Sequence, residues 1–185
     1  MPGKAIGVSM LIGYPGTYSR NGDFVMSRKL VKSTDPQGVY FGDPVMLNSG
    51  GVTGGVISSA YDGYASFSAT NFFGIAAREI KSFETYVSAA LGLYAPGLPA
   101  DILERGSITV VVHRGTPTAG GTVYVRTVLG GTPDSGAVLG GFEAAVAADG
   151  GTLITLTNAK WTTGLTSIDA NGFTIAEVTL LTRNI

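Results

Sequence analysis

The chain has no cysteine and one histidine, His113. Without thiols there is no disulfide, no thiolate metal site and no Cys nucleophile. A Ser-His-Asp triad would have to use His113, and no G-x-S-x-G elbow accompanies it. Charge is scarce too: Asp, Glu, Lys and Arg make up 14% of the residues, against a usual ~25%. The net charge is −1, and no basic cluster exceeds Arg28-Lys29 with Lys32. The electrostatic footprint of sequence-independent nucleic-acid binding is therefore missing. No apolar run approaches the ~18 residues that would span a bilayer. Helical periodicity is nearly absent as well. Only Ser82–Leu93 sets Phe83, Tyr86, Ala90 and Leu93 on one helical face, and Thr85, Val87 and Gly92 weaken it.

What is present is glycine, at 28 residues, and a β-type alternation of apolar side chains. Ile108, Val110 and Val112 share one face of a strand, with Thr109, Val111 and His113 on the other. Val123 and Val125 alternate with Thr122, Tyr124 and Arg126. Ile154 and Leu156 alternate with threonines in Thr152–Thr157, and Ala176, Val178 and Leu180 line one side of Ala176–Leu181. Asp23–Leu30, Gly38–Asn48, Gly55–Ser59 and Gly74–Ile80 are further candidate strands. Turn chemistry separates them at Asn21-Gly22, Asp35-Pro36, Asp62-Gly63, Asp149-Gly150-Gly151 and Asn171-Gly172; the Asn-Gly and Asp-Gly pairs suit turns with positive φ. Gly/Ser-rich Asn48–Gly55 and Gly130–Gly141 read as loops. The expected fold is all-β: an antiparallel barrel or sandwich of short strands with long Gly/Pro-rich loops. Residues 1–20 are expected to form an N-terminal arm and 21–185 a single β domain. The start, MPGKAIGVSMLIG, reads as the mature arm of an intracellular protein. Gly7, Ser9 and Gly13 interrupt its apolar run, and no small-x-small cleavage site follows.

The search for chemistry yields little. His113 reads as a strand-end residue at a surface or interface. Carboxylates are scattered singly, so neither a metal site nor a glycosidase pair is selected. None of the glycine pairs is followed by Lys-Ser/Thr, which excludes a phosphate cradle of the P-loop kind. Asp169-Ala170-Asn171-Gly172 looks like a fragment of a calcium loop but lacks the other acidic positions, so a plain turn is expected. No catalytic, cofactor-binding or metal-binding residue is assigned, and no cofactor is expected.

Segments in order along the chain carry a resemblance. They begin with Tyr14-Pro15-Gly16-Thr17, Ser19-Arg20-Asn21-Gly22-Asp23, Phe41-Gly42-Asp43-Pro44-Val45 and Phe73–Lys81. They continue with Tyr94-Ala95-Pro96-Gly97, Arg105-Gly106-Ser107-Ile108, Gly115–Gly121 and Gly141-Phe142-Glu143-Ala144. Asn158–Gly164, Asp169–Gly172 and Ala176-Glu177-Val178 complete the set. Each is weak alone, but together the chain resembles the bacteriophage structural cement proteins, which decorate icosahedral capsids. Met1–Gly13 is longer than the start of that pattern, and Leu165–Ser167 lengthens the segment before Asp169.

The resemblance implies a β-rich, non-enzymatic virion protein, assembled in the host cytoplasm and bound to the outer capsid surface. Its partners would be major capsid protein subunits of the HK97-like fold and further copies of itself, in a trimer or else a dimer. Nucleic acid and membrane are not expected partners. Within the chain, Tyr14, Pro15, Tyr18 and Arg20 are the residues expected to touch the capsid. Tyrosines offer rigid contact area, and Pro15 stiffens the arm. Trp161 is expected either as an interface anchor or as a core residue. Arg78, Arg105 and Arg126 are expected on solvated strand faces. Two other classes compete with this reading. One is a phage tail or spike module that binds carbohydrate through Tyr and Trp. The other is a small hydrolase dependent on one carboxylate.

Overall fold

The computed structural model describes residues 13–18, 23–48, 56–59, 66–79, 92–168 and 172–183, none of which is helical. The weak helical candidate Ser82–Leu93 lies largely outside them, as do the turns at Asn21-Gly22 and Asp62-Gly63. The architecture is built on one long strand, β7 (Pro99–Arg114). On its N-terminal half it pairs with β1 (Val25–Val31) and with β5 (Phe72–Ala76). Between those two run β3 (Pro44–Asn48) and β4 (Val56–Ser59), in the order β1-β4-β3-β5-β7, and the β1–β7 pairing closes the ring.

The C-terminal half of β7 starts a second ring. It passes through β11 (Thr174–Leu180), β10 (Thr152–Ile168), β8 (Thr122–Val128) and β9 (Phe142–Glu143), and β9 pairs back with β7. A separate ribbon joins β2 (Val39–Tyr40) to β6 (Leu93–Tyr94). Closure removes the free edges along which sheets aggregate.

The fold is all-β, as expected, but not wholly antiparallel: β1–β4 and β7–β9 are parallel. Topology supplies the reason. Each ring contains five strands, and an odd number cannot alternate direction all the way round. One parallel pair per ring is the minimum, and each ring has that one.

Alternation along the strands lands where the sequence puts it. Ile108, Val110, Val112, Val123, Val125, Leu156, Ala176, Val178 and Leu180 are buried in one apolar cluster. On β5 and the first half of β7 both faces are covered. Phe72, Ile75 and Leu103 join that cluster, while Phe73, Ala76 and Ile102 join a second with Val39, Phe41 and Tyr94. Phe41 and Tyr94 meet edge-on with ring centroids 5.0 Å apart.

Two strands run longer than the sequence suggests. β7 begins at Pro99 because its charged residues find partners within the fold: Asp101 meets Arg28 at 3.1 Å and Glu104 meets Arg183 at 2.6 Å. β10 continues past Thr157 because it changes partner, leaving β8 for β11 through register shifts near Leu156 and Trp161. The stretch Gly38–Asn48 splits into β2 and β3 at Gly42, whose φ is 88°.

Candidate functional site

The segment expected to meet a partner enters the fold as a turn. Thr17 N–H donates to Tyr14 C=O at 2.9 Å, with Pro15 and Gly16 at the centre and φ of 81° at Gly16. This is a type II turn, which places proline second and demands glycine third. Gly16 is also squeezed: a Cβ there would lie 2.9 Å from the Cβ of Phe41 and 3.1 Å from Ala76 O. The turn is then stitched to the domain. Gly16 N–H donates to Thr109 C=O, Thr109 N–H to Thr17 C=O, and Arg78 N–H to Gly16 C=O, at 2.7–2.8 Å. Ile108, already paired with Val178, takes Tyr18 on its other side. Residues 13–18 thus supply part of the backbone pairing of β7.

Of the five residues singled out from sequence, Tyr14, Pro15 and Tyr18 come together here. Tyr14 is 48% exposed, and its ring lies 4.9 Å from the Arg78 guanidinium, within cation–π reach. Pro15 is half-buried against Gly42. Tyr18 donates its hydroxyl proton to Glu79 Oε1 at 2.7 Å and packs 5.5 Å from Phe24, itself 42% exposed. Tyr14 and Phe24 leave this corner of the surface aromatic and open. Arg20 lies outside the described residues. Trp161 sits elsewhere, 1% exposed in the main core cluster, which is the core role of the two open to it.

The arginines divide three ways. Arg105 is a surface residue paired with Asp23 at 2.9 Å, and Arg78 covers Tyr14. Arg126 corrects its sequence reading: it is fully buried rather than solvated. Its Nε and Nη2 grip Glu143, and its Nη1 donates to both oxygens of Asp149 at 3.0 and 2.9 Å. Arg114 joins through Asp134 at 3.1 Å and Glu143 at 3.5 Å.

Asp149 in turn accepts from the N–H groups of Gly130, Asp134 and Gly151. Burial pushes its carboxyl up. The Gly151 N–H, Arg126 and the other two amides outweigh that and hold it well below the usual carboxylate range. The network ties down the long connection between β8 and β10. No spacing in the sequence signals it, because the partners of Arg126 lie 17 and 23 residues away.

A concave region opens beside this connection. Asp43 and His113 line one cavity of about 200 Å³ with Tyr40, Pro44 and Val138. Burial lowers the His113 pKa, opposed by the charge of Glu143. Serine and cysteine do not line this cavity. Among the described residues no three His, Asp or Glu side chains converge as metal ligands would.

Comparison with known proteins bears on the chain as a whole. Residues 2–181 match the family model described as "Structural cement protein (E217 gp24/Pam3 gp6)". A solved chain from "The capsid of Myoviridae Phage XM1" shares the fold, with a TM-score of 0.55 at 16% identity over 98% of this chain and 97% of that one. Curated protein sequences give no match. With the family model covering nearly its whole length, the chain belongs to the structural cement proteins of phages.

Proposed function

We propose that the protein binds the outer surface of a phage capsid and bridges neighbouring major capsid protein subunits of the HK97-like fold, holding the shell against the pressure of packaged DNA. The family match over residues 2–181 carries this reading. The architecture supports it. The turn at Tyr14-Pro15-Gly16-Thr17 presents an exposed aromatic on a rigid base. A stable contact needs about 1,000 Å², and repetition around a symmetric oligomer turns modest contacts into high avidity. A trimer at three-fold positions meets that need, with a dimer at two-fold positions as the other closed arrangement.

In this role the protein is a structural component rather than an enzyme. Its partners are capsid subunits and copies of itself. Nucleic acid and membrane are not among them, in keeping with a net charge of −1. The carbohydrate-binding reading loses its tryptophan, because Trp161 is inside the core and cannot stack on a sugar.

Co-sedimentation with matured capsids lacking the protein, and with unexpanded procapsids, tests the proposal. Saturable binding to matured shells alone is expected. Absence of binding to both would overturn it, and glycan binding would then be measured.

A further inference from the structure

The cavity lined by Tyr40, Asp43, Pro44, His113, Val138 and Gly141 has no part in the chemistry discussed so far. Its walls are preformed. Asp43 is pinned by a reciprocal turn, its N–H donating to Tyr40 C=O at 3.1 Å and its Oδ2 accepting from Tyr40 N–H at 3.2 Å. Opposite, Gly141 presses on His113 so closely that a Cβ would lie 2.6 Å from His113 Cδ2. The loop carrying Gly141 is fixed to β8, with Arg126 N–H donating to Gly141 C=O and Gly140 N–H to Arg126 C=O.

The charge in this cavity is unbalanced. Among the described residues no Lys or Arg pairs with Asp43. Its hydrogen-bond partner is a neutral amide, and the charge acting on it is a second carboxylate, Asp35. Asp35 is itself only 3% exposed and turned toward the N–H groups of Gln37 and Gly38. Burial, above all, raises the Asp43 carboxyl to about 7; the Tyr40 amide opposes the rise and Asp35 adds to it. A carboxylate in such a place gains from any cation that reaches it.

Size and rim narrow the cation. About 200 Å³ is room for roughly six to seven waters at ~30 Å³ each, below the ~300 Å³ at which small-molecule pockets begin. One long side chain fits that space. The rim is apolar and open, with Tyr40 43% and Val138 42% exposed. Lysine and arginine have this same division, an apolar stem and a charged head, and an aromatic ring at the mouth adds cation–π attraction.

We propose that this cavity is a socket for one lysine or arginine side chain of a capsid subunit, with Asp43 meeting the charged head and Tyr40 and Val138 packing its stem. The choice of partner rests on the cement reading; the choice of chemistry rests on the cavity. Two experiments separate them. In the first, n-propylguanidinium and n-butylammonium are titrated into the protein at pH 8, and the His113 ring signals are followed by NMR. Saturable shifts with a millimolar Kd are expected, at least ten-fold weaker in Asp43→Asn and several-fold weaker in Tyr40→Ala. Neutral n-butanol should give none. Shifts that never saturate, or that persist unchanged in Asp43→Asn, overturn the socket.

In the second, wild type and Asp43→Asn are co-sedimented with matured capsids, and the variant should bind at least ten-fold more weakly. Equal binding of the two overturns the socket and leaves the cement reading standing. If the wild type itself does not bind, the cement reading fails, and the titration still decides the socket's chemistry. Self-association of the free protein that Asp43→Asn abolishes would assign the socket to a second copy, overturning the capsid assignment.

Discussion

Replacing Arg126 by methionine removes the hub of the buried charge network while keeping most of its volume. Arg126 and Glu143 are fully buried, and the Asp149 side chain is equally inaccessible. Taking away the guanidinium leaves Asp149 to three backbone amides and Glu143 to Arg114, which reaches it only at 3.5 Å and is already engaged with Asp134. Breaking a buried ion pair on one side costs about 3–5 kcal/mol, because an uncompensated charge remains. Against a total stability of roughly 5–15 kcal/mol this is a large fraction. At ~2–4 °C per kcal/mol for a chain of this size, Tm should fall by about 10 °C at pH 7.5.

The pH dependence has a definite sign. In the wild type the depressed Asp149 pKa contributes stability that is present above about pH 4 and lost as pH falls further. In the variant the stranded carboxylates gain by taking up protons. The deficit relative to wild type should therefore shrink from pH 8 toward pH 4. Adding Glu143→Leu to Arg126→Met removes one stranded charge and should recover part of the loss. Thermal unfolding followed by circular dichroism, with limited proteolysis between residues 129 and 151, reads both effects. A loss under about 1 kcal/mol at pH 7.5, or a deficit independent of pH, would refute this account of the network.

Three further outcomes are expected. Deleting residues 1–18 should cost several kcal/mol, because it strips hydrogen-bond partners from the buried Thr109 backbone, and thermal melts against wild type check this. Tyr14→Ala should weaken binding to matured capsids several-fold in sedimentation while leaving Tm unchanged, since the ring is half exposed and its loss opens no cavity. Asp43→Asn should stabilise the protein at pH 8 and make no difference near pH 4. A folded-state pKa of about 7 against 3.8 means that stability declines as pH rises between those values. At ~1.4 kcal/mol per unit the ceiling is about 4 kcal/mol, and water at the cavity mouth should reduce it to ~1–2 kcal/mol. Melts across that pH range check the sign, and a variant less stable than wild type at pH 8 would contradict it.

The β class was legible because period-two alternation is a local signal. Ile108, Val110 and Val112 face the core as the sequence requires, as do Val178 and Leu180. The turn at Tyr14–Thr17 went unread, because the segment was taken as part of an arm, although proline and glycine specify it within four residues. Pairing direction was not legible, because ring closure by five strands is a property of the assembled sheet. Arg126 looked like the polar side of a strand, and only contacts with Glu143 and Asp149 from a distant loop reveal that it is buried. His113 carried no sign of Asp43, which lies 70 residues away in the chain and lines the same cavity. Local patterning thus set the strands. The buried charges and the cavity arise from long-range packing, which a single sequence does not display.

The measurement closest to the central claim is the temperature at which DNA-filled capsids stripped of the protein release their genome, taken with increasing amounts of protein added back. A rise in release temperature that saturates with occupancy is the predicted result. Full occupancy with an unchanged release temperature would mean that the protein decorates the shell without cementing it.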